Sequence, residues 1–335
     1  MLIKTVSHAR AGLLGNPSDG YFGKTISFTF SNFSCNLTMY ETPELAFIPA
    51  DVDDAVFASP DALLHDIHNF GYYGGIRLLK AISKLFFLYC RNNDITLPEK
   101  NFTVRYTSNI PRLVGLSGSS AICTAMLKAL QKFYEIEIPL EYAPTLCLEA
   151  ERDELGIQCG LQDRVIQMYG GCVFMDFDQS LIESTGHGRY ERLDTNLLPN
   201  LYISYDPKRA EVSGVYHKKL RVLFDEKKAD IVKAMSEFAD IAQQGRSALI
   251  AGDIPKFTKL IDANFDLRDR IFNVAEANRR MVMTARSVGA SAKFAGSGGA
   301  IVGTYEDEAQ FVKLTTALEN IGCQTIKPKL DANES

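Results

Sequence analysis

The chain has 335 residues, 46% hydrophobic and 23% charged, with a net charge of −5. At roughly 100–200 residues per domain, this length predicts about two domains, and the composition excludes a disordered chain, a collagen-like fibre and a disulfide miniprotein. The acidic balance argues against nucleic-acid binding, which runs on excess positive charge.

The opening segment Leu2 to Ser7 reads as a short strand, and Ala9 to Gly23, rich in Gly, Asn, Pro and Asp, as a loop. Thr25 to Tyr40 alternates apolar and polar residues, the period of paired strands. Pro60 to Cys90 carries a helical stripe through Ile76, Leu79, Ile82 and Phe86. A strand at Phe102 to Tyr106 is followed by a Gly/Ser loop, Pro111 to Ser120, and a helix from Ala121 to Tyr134. A helix over Pro139 to Leu155, a loop to Gln162, a helix to Met168 and a strand at Cys172 to Asp176 complete the first half.

The polar stretch Asp178 to Pro199 is taken as the domain junction, giving units over 1–185 and 186–335. Beyond it the pattern predicts a strand (Leu201 to Tyr205) and helices over Lys218 to Gln243, Ile254 to Arg270 and Ala275 to Val288. Then come a strand–glycine turn–strand (Ser291 to Thr304), a helix (Asp307 to Ile321) and a last strand (Cys323 to Ile326). Mixed element order with antiparallel pairs favours an α+β fold over a doubly wound sheet.

The charge-free stretches Thr25 to Tyr40 and Leu113 to Leu127 fall short of the ~20 apolar residues of a spanning helix. Met1 to Arg10 has no apolar core of a signal peptide. The seven cysteines (35, 90, 123, 147, 159, 172 and 323) are scattered and form no C-x-x-C. Reduced thiols in a cytoplasmic protein without a membrane partner are therefore expected, and no four-ligand zinc spacing exists. His65 and His68 suit one helical face, but no third ligand accompanies them.

Pro111-Arg-Leu-Val-Gly115-Leu116-Ser117-Gly118-Ser119-Ser120-Ala121 carries the strongest local signal. Glycines let a backbone curl around a ligand, and a helix starting there aims free N–H groups and a positive dipole end at one spot. Ser119 or Ser120 is a candidate helix cap, and one hydroxyl a candidate Mg²⁺ ligand. A serine-capped helix after a plain turn is the competing interpretation. No lysine follows the glycines, so this is not a Walker A loop, and no protein-kinase or dinucleotide signature is present.

This loop resembles the second signature of the GHMP kinases, P-x-x-x-G-L-[GS]-S-S-[AG], with one extra residue. Arg10 to Asp19 (Arg-Ala-Gly-Leu-Leu-Gly-Asn-Pro-Ser-Asp) resembles the first signature, and Lys293-Phe-Ala-Gly296-Ser-Gly298-Gly-Ala the third. Glu151 followed by Gly160-Leu-Gln-Asp163-Arg164 is similar to the segment carrying the family's active-site Asp. The resemblance implies a ribosomal-S5-like N-terminal domain and a ferredoxin-like C-terminal α/β sandwich. Asn16-Pro17 stands where galactokinases have Glu-His. The combined motifs are most similar to the branch that phosphorylates the anomeric hydroxyl of D-glucuronate with ATP.

On that resemblance, Pro111 and Gly115 to Ala121 bind ATP, Ser120 and Glu151 hold Mg²⁺, Asp163 orients the attacking hydroxyl, and Arg10 sits beside it. Asn16, Asp19, Gly296 and Gly298 contact the substrate. A sugar acid also needs a cation for its carboxylate, with Lys24, Arg112 and Arg164 as candidates. Tyr72-Tyr73-Gly74-Gly75 is either a border of the adenine pocket or packing. The alternatives are a sugar kinase of the galactose, galacturonate or heptose class, and a sugar- and ATP-binding sensor without turnover. A monomer and a homodimer both suit the sequence.

Overall fold

Every side chain from Ala9 to Leu14 is buried, and this extends the first strand well past Ser7. The computed structural model, described for residues 1–50, 74–208, 214–272 and 274–330, forms β1 over Leu2–Leu14. The expected loop thus begins at Gly15. Burial on both faces removes the alternation that marks a half-exposed strand, so its second half did not read as one. Arg10 consequently projects from a strand.

β1 pairs antiparallel with β2 (Lys24–Thr42), with register shifts at His8/Ala9 and Gly12/Leu14. β2 also pairs with β4 (Asn101–Ser108) and β5 (Cys172–Asp176), while β3 (Ala46–Ile48) lies parallel on β4 and β6 (Arg189–Leu193) antiparallel on β5. α1 (Gly75–Asn92) buries Leu79, Ile82 and Phe86 as its stripe predicts, although Ile76 is only half-buried. The expected helix before Gly74, with His65, His68, Tyr72 and Tyr73, lies outside the described residues.

α2 (Gly118–Tyr134) starts one turn earlier than Ala121. The helix expected over Pro139 to Leu155 is α3 (Ala143–Glu149) running into a π-helical turn, Ala150–Glu154. Such turns cluster at functional sites, and this one buries Glu151 completely. α4 (Gln162–Tyr169) and a short α5 (Gln179–Thr185) follow their loops.

The second sheet has the order β10-β7-β9-β8, from β7 (Leu201–Tyr205), β8 (Lys293–Phe294), β9 (Ala300–Thr304) and β10 (Gln324–Ile326), all antiparallel. The single helix expected at Lys218 to Gln243 is two, α6 (Gly214–Asp225) and α7 (Ala229–Ile250), separated at Lys227 with its φ of 55°. α8 (Ile254–Ile271), α9 (Glu276–Ser287) and α10 (Glu308–Glu319) complete this half. The chain leaves the first sheet after Leu193 and joins the second at Leu201. Phe28 and Phe30 of the first share a core with Ile203 and Val302 of the second. The fold is α+β, as its sequence predicts. No helix among the described residues is long and apolar enough to cross a membrane.

Candidate active site

Helix α2 begins without a side-chain cap. Ser117 holds the cap position in the left-handed region, φ 65°, but its hydroxyl donates to Asp163 Oδ2 at 2.7 Å and accepts from no helix N–H. Neither Ser119 nor Ser120 caps the helix, contrary to expectation. The first-turn N–H groups therefore keep no side-chain acceptor, and with the helix dipole they form a site for anionic oxygens. Gly115, at φ +75°, makes the preceding turn. Pro111, Gly115, Leu116, Ser117, Gly118 and Ser119 line a cavity of about 650 Å³, whereas Ser120 and Ala121 are buried behind them.

Arg10 reaches the same cavity from β1. Its guanidinium grips Asp163 at two points, Nε to Oδ1 at 2.6 Å and Nη2 to Oδ2 at 2.9 Å. Nη1 donates to the carbonyls of Gly115 (2.7 Å) and Ala295 (2.8 Å), tying three separate segments to one side chain. Burial alone would raise the Asp163 pKa, but the charge and hydrogen bonds of Arg10, with Arg164 and Ser117, hold it down to about 2. A carboxylate that stays ionised beside a helix N-terminus can accept a hydrogen bond from a bound hydroxyl and orient it, although so low a pKa makes it a weak base.

Asp19 faces the same space. Burial first, and then the charge of Asp163, push its carboxyl up to about 6. The Gln162 N–H lies 3.4 Å from its Oδ2, and a Cβ on Gly160 would collide with that carboxylate. Asn16 and Gly296 also line the cavity. Gly298 does not: its carbonyl lies where a Cβ on Gly115 would approach to 2.8 Å, so the third glycine segment packs against the second. Arg268 holds that third segment by donating to Gly296 O (2.9 Å) and Ser297 O (2.8 Å).

Ser120 and Glu151 lie behind the cavity wall. The Ser120 hydroxyl donates to Gln167 Oε1 at 2.6 Å, and Arg164 pairs with Glu151 Oε2, its Nε at 2.8 Å. Glu151 is 0% exposed and its Oε1 has no hydrogen-bond partner among the described residues. Among the described residues no cluster of three or more His, Cys, Asp or Glu side chains forms a metal cage.

Of the carboxylate candidates, Lys24 pairs with Asp176 away from the cavity, and Arg164 lines the cavity but is buried against Glu151 and Gly160 O. Arg112 lines the cavity on the segment that enters α2. Sequence reasoning missed Arg268 and Gln167, which fix loops through backbone carbonyls and carry no motif. It also passed over Lys293, although that residue stands inside the third glycine motif.

Comparison with known proteins gives a consistent result. A sequence profile of the GHMP kinases N terminal domain matches residues 77–171. Glucuronokinase 1 of Arabidopsis thaliana is 45% identical over 314 residues, covering 92% of this chain and 86% of the relative. The fold matches the crystal structure of Lactococcus lactis galactokinase complexed with galactose (TM-score 0.78, 13% identity, 99% of this chain and 94% of that one). It also matches Methanococcus jannaschii mevalonate kinase (TM-score 0.69, 19% identity, 99% and 98%). Those structural matches speak to fold, and the 45% identity along nearly the whole length settles descent: the chain belongs to the GHMP kinase family, as a sugar kinase of the glucuronokinase type.

Proposed function

We propose that this protein transfers the γ-phosphoryl group of ATP to the anomeric hydroxyl of D-glucuronate, giving D-glucuronate 1-phosphate. The observation that carries the reading is the Arg10–Asp163 fork beside the uncapped start of α2. The relatives named as glucuronokinases supply the substrate.

Phosphoryl transfer demands positioning and charge neutralisation more than covalent chemistry from the protein. The first-turn N–H groups of α2 cradle the phosphate chain. Asp163 orients the anomeric hydroxyl and takes its proton, a modest task because that hydroxyl is more acidic than an ordinary alcohol. Arg10 keeps Asp163 ionised and adds positive charge where negative charge develops. Asp19 accepts hydrogen bonds from ring hydroxyls, most strongly in its ionised form, where every lone pair is free to accept.

The family resemblance implies Mg²⁺, and the residues fit it by type. Glu151 Oε1 is a buried carboxylate oxygen without a partner, and the Ser120 hydroxyl keeps its lone pairs while donating to Gln167. Mg²⁺ takes hard oxygen ligands from one or two side chains, substrate phosphates and water, so no larger cluster is required. By donor type Ser120 and Glu151 would hold the ion, which would neutralise phosphate charge, although in this structure both are buried behind the cavity wall.

ADP release measured against a panel of acceptors tests the reading. Turnover is expected with D-glucuronate and little with galactose, galacturonate, heptoses, mevalonate or homoserine. Turnover confined to another alcohol would overturn the substrate, and tight ATP binding without turnover on any sugar would point to a sensor.

A further inference from the structure

Gln167 lies on α4 one turn beyond Asp163 and is 2% exposed. Residues four apart on a helix face the same side. Here both take hold of one residue across the interface. Asp163 Oδ2 accepts from the Ser117 hydroxyl at 2.7 Å, and Gln167 Nε2 donates to the Ser117 carbonyl at 3.0 Å. Gln167 Nε2 also donates to His8 O at 2.9 Å, where the pairing of β1 with β2 shifts register. Its Oε1 accepts from the Ser120 hydroxyl at 2.6 Å. A side-chain amide carries two N–H donors and one acceptor oxygen. Reversed, the group would set its oxygen against two carbonyls, so these partners fix its orientation.

Ser117 stands at the cap position of α2 with φ 65°, a conformation that serine rarely adopts and that its surroundings must hold. Its carbonyl also accepts the Ala121 N–H at 3.1 Å, at the start of the helix. The direction of that carbonyl therefore sets the direction in which α2 begins, and Gln167 holds the carbonyl. His8 lies two residues before Arg10 on β1. One amide thus ties together β1, α2 and α4, the three elements that carry Arg10, the anion site and Asp163. Gln167 does not line the cavity, so it acts on the reaction only through other residues.

We propose that Gln167 is a positioning residue for phosphoryl transfer. Acting through Ser117, it holds the first turn of α2 at a fixed place relative to Asp163. Phosphates at the one then stay in line with the hydroxyl oriented by the other. In-line transfer tolerates little displacement, so a clamp that never touches substrate controls kcat. The assignment rests on the role proposed above for Asp163 and does not depend on which sugar is the acceptor.

Gln167→Met keeps the length of the side chain and removes its three hydrogen bonds. With ATP and D-glucuronate, kcat is expected to fall about 100-fold or more, the scale for ~1 Å of misplacement at a reacting centre. Acceptor KM, and ATP affinity by calorimetry, should change by no more than about 3-fold, the pattern of an interaction felt in the transition state alone. Ser117→Ala cuts the link from the loop to Asp163 and leaves the carbonyl for Gln167. Because residues that work as a unit are non-additive, adding Gln167→Met to Ser117→Ala should lower kcat by less than about 10-fold further. Gln167→Asn, whose amide stops one methylene short, repeats the measurement should Gln167→Met fail to fold. Additive losses in the double-mutant cycle overturn the assignment. So does a lowered melting temperature with unchanged kcat, which is what a purely structural role gives. A wild-type protein that turns over another sugar but not D-glucuronate overturns the substrate reading alone, and the same cycle is then decided on that sugar.

Discussion

Arg10 and Asp163 stand 153 positions apart in the chain and meet in a two-point fork, Nε–Oδ1 at 2.6 Å and Nη2–Oδ2 at 2.9 Å. Because Arg10 also binds the Gly115 and Ala295 carbonyls, one side chain gathers the Asp163 carboxylate and two of the three glycine segments. The fork sets the charge state of Asp163 and the shape of the cavity together.

Replacing Arg10 separates those two effects through the pH profile. Arg10→Lys retains a charge but loses the planar fork. Asp163 then loses part of what opposes its burial, so its pKa rises and an acid limb appears in kcat. In the wild-type protein no such limb from Asp163 is expected above pH 4. The stability that the fork contributes is present above the unfolded carboxylate pKa, near 4, and is lost as pH falls through about 2. Thermal melts between pH 2 and 7 check the second statement, and steady-state rates the first.

An acid limb is expected in the wild-type profile, set by Asp19. Its carboxyl is pushed up to about 6, so it protonates at a pH where Asp163 is still ionised. Acceptor kcat/KM is expected to fall as pH drops below 6, chiefly through KM. In Asp19→Asn that limb disappears, together with most affinity for the sugar. A wild-type profile that is flat from pH 5 to 8 contradicts the assignment.

Contact between the second and third glycine segments gives a steric prediction. A Cβ on Gly296 would meet the Gly115 carbonyl and approach Arg10 Nη1 to 2.9 Å. A Cβ on Gly115 would meet Gly298 O at 2.8 Å, in a backbone conformation that side chains rarely adopt. Gly296→Ala and Gly115→Ala should each cut kcat about 100-fold or more, because misplacement by ~1 Å at a reacting centre costs that much. Gly156→Ala is the control for backbone strain alone, since nothing lies within 4 Å of its Cβ. It should lose some melting temperature and little activity.

Removing divalent cations with EDTA should abolish turnover, and Mg²⁺ should restore it. Glu151→Gln is expected to raise the Mg²⁺ concentration for half-maximal rate several-fold. The same change weakens the pair that Arg164 makes in the π-helical turn. A Glu151→Gln protein with an unchanged Mg²⁺ requirement would remove Glu151 from the metal assignment.

Motifs that act through backbone shape were the legible part of this sequence. Gly115, Ser117, Gly118 and Ser119 announce an anion turn because glycine and a following helix are needed to make one. Asp163 was legible through its neighbours Gly160 and Arg164. Arg10 was found by motif, but its element was missed, since a strand buried on both faces loses the period that identifies it. The capping role expected of Ser119 or Ser120 fails because the helix starts at Gly118 and leaves both inside its first turn, while the hydroxyl of Ser117 at the cap position donates to Asp163 across 46 residues, a contact that local sequence does not encode. Lys293, Arg268 and Gln167 were illegible for the same reason. Their partners are carbonyls and an amide contributed by distant loops, and only the fold brings these to one place.

The rate of D-glucuronate 1-phosphate formation by Asp163→Ala against the wild type, followed by phosphorus NMR at saturating ATP, tests the mechanism most directly. The wild type should form the anomeric phosphate, and the variant should form it about 100-fold more slowly or worse while still binding ATP, the scale for losing a positioned general base. Product formation by Asp163→Ala at close to the wild-type rate would contradict the central role of the Arg10–Asp163 fork.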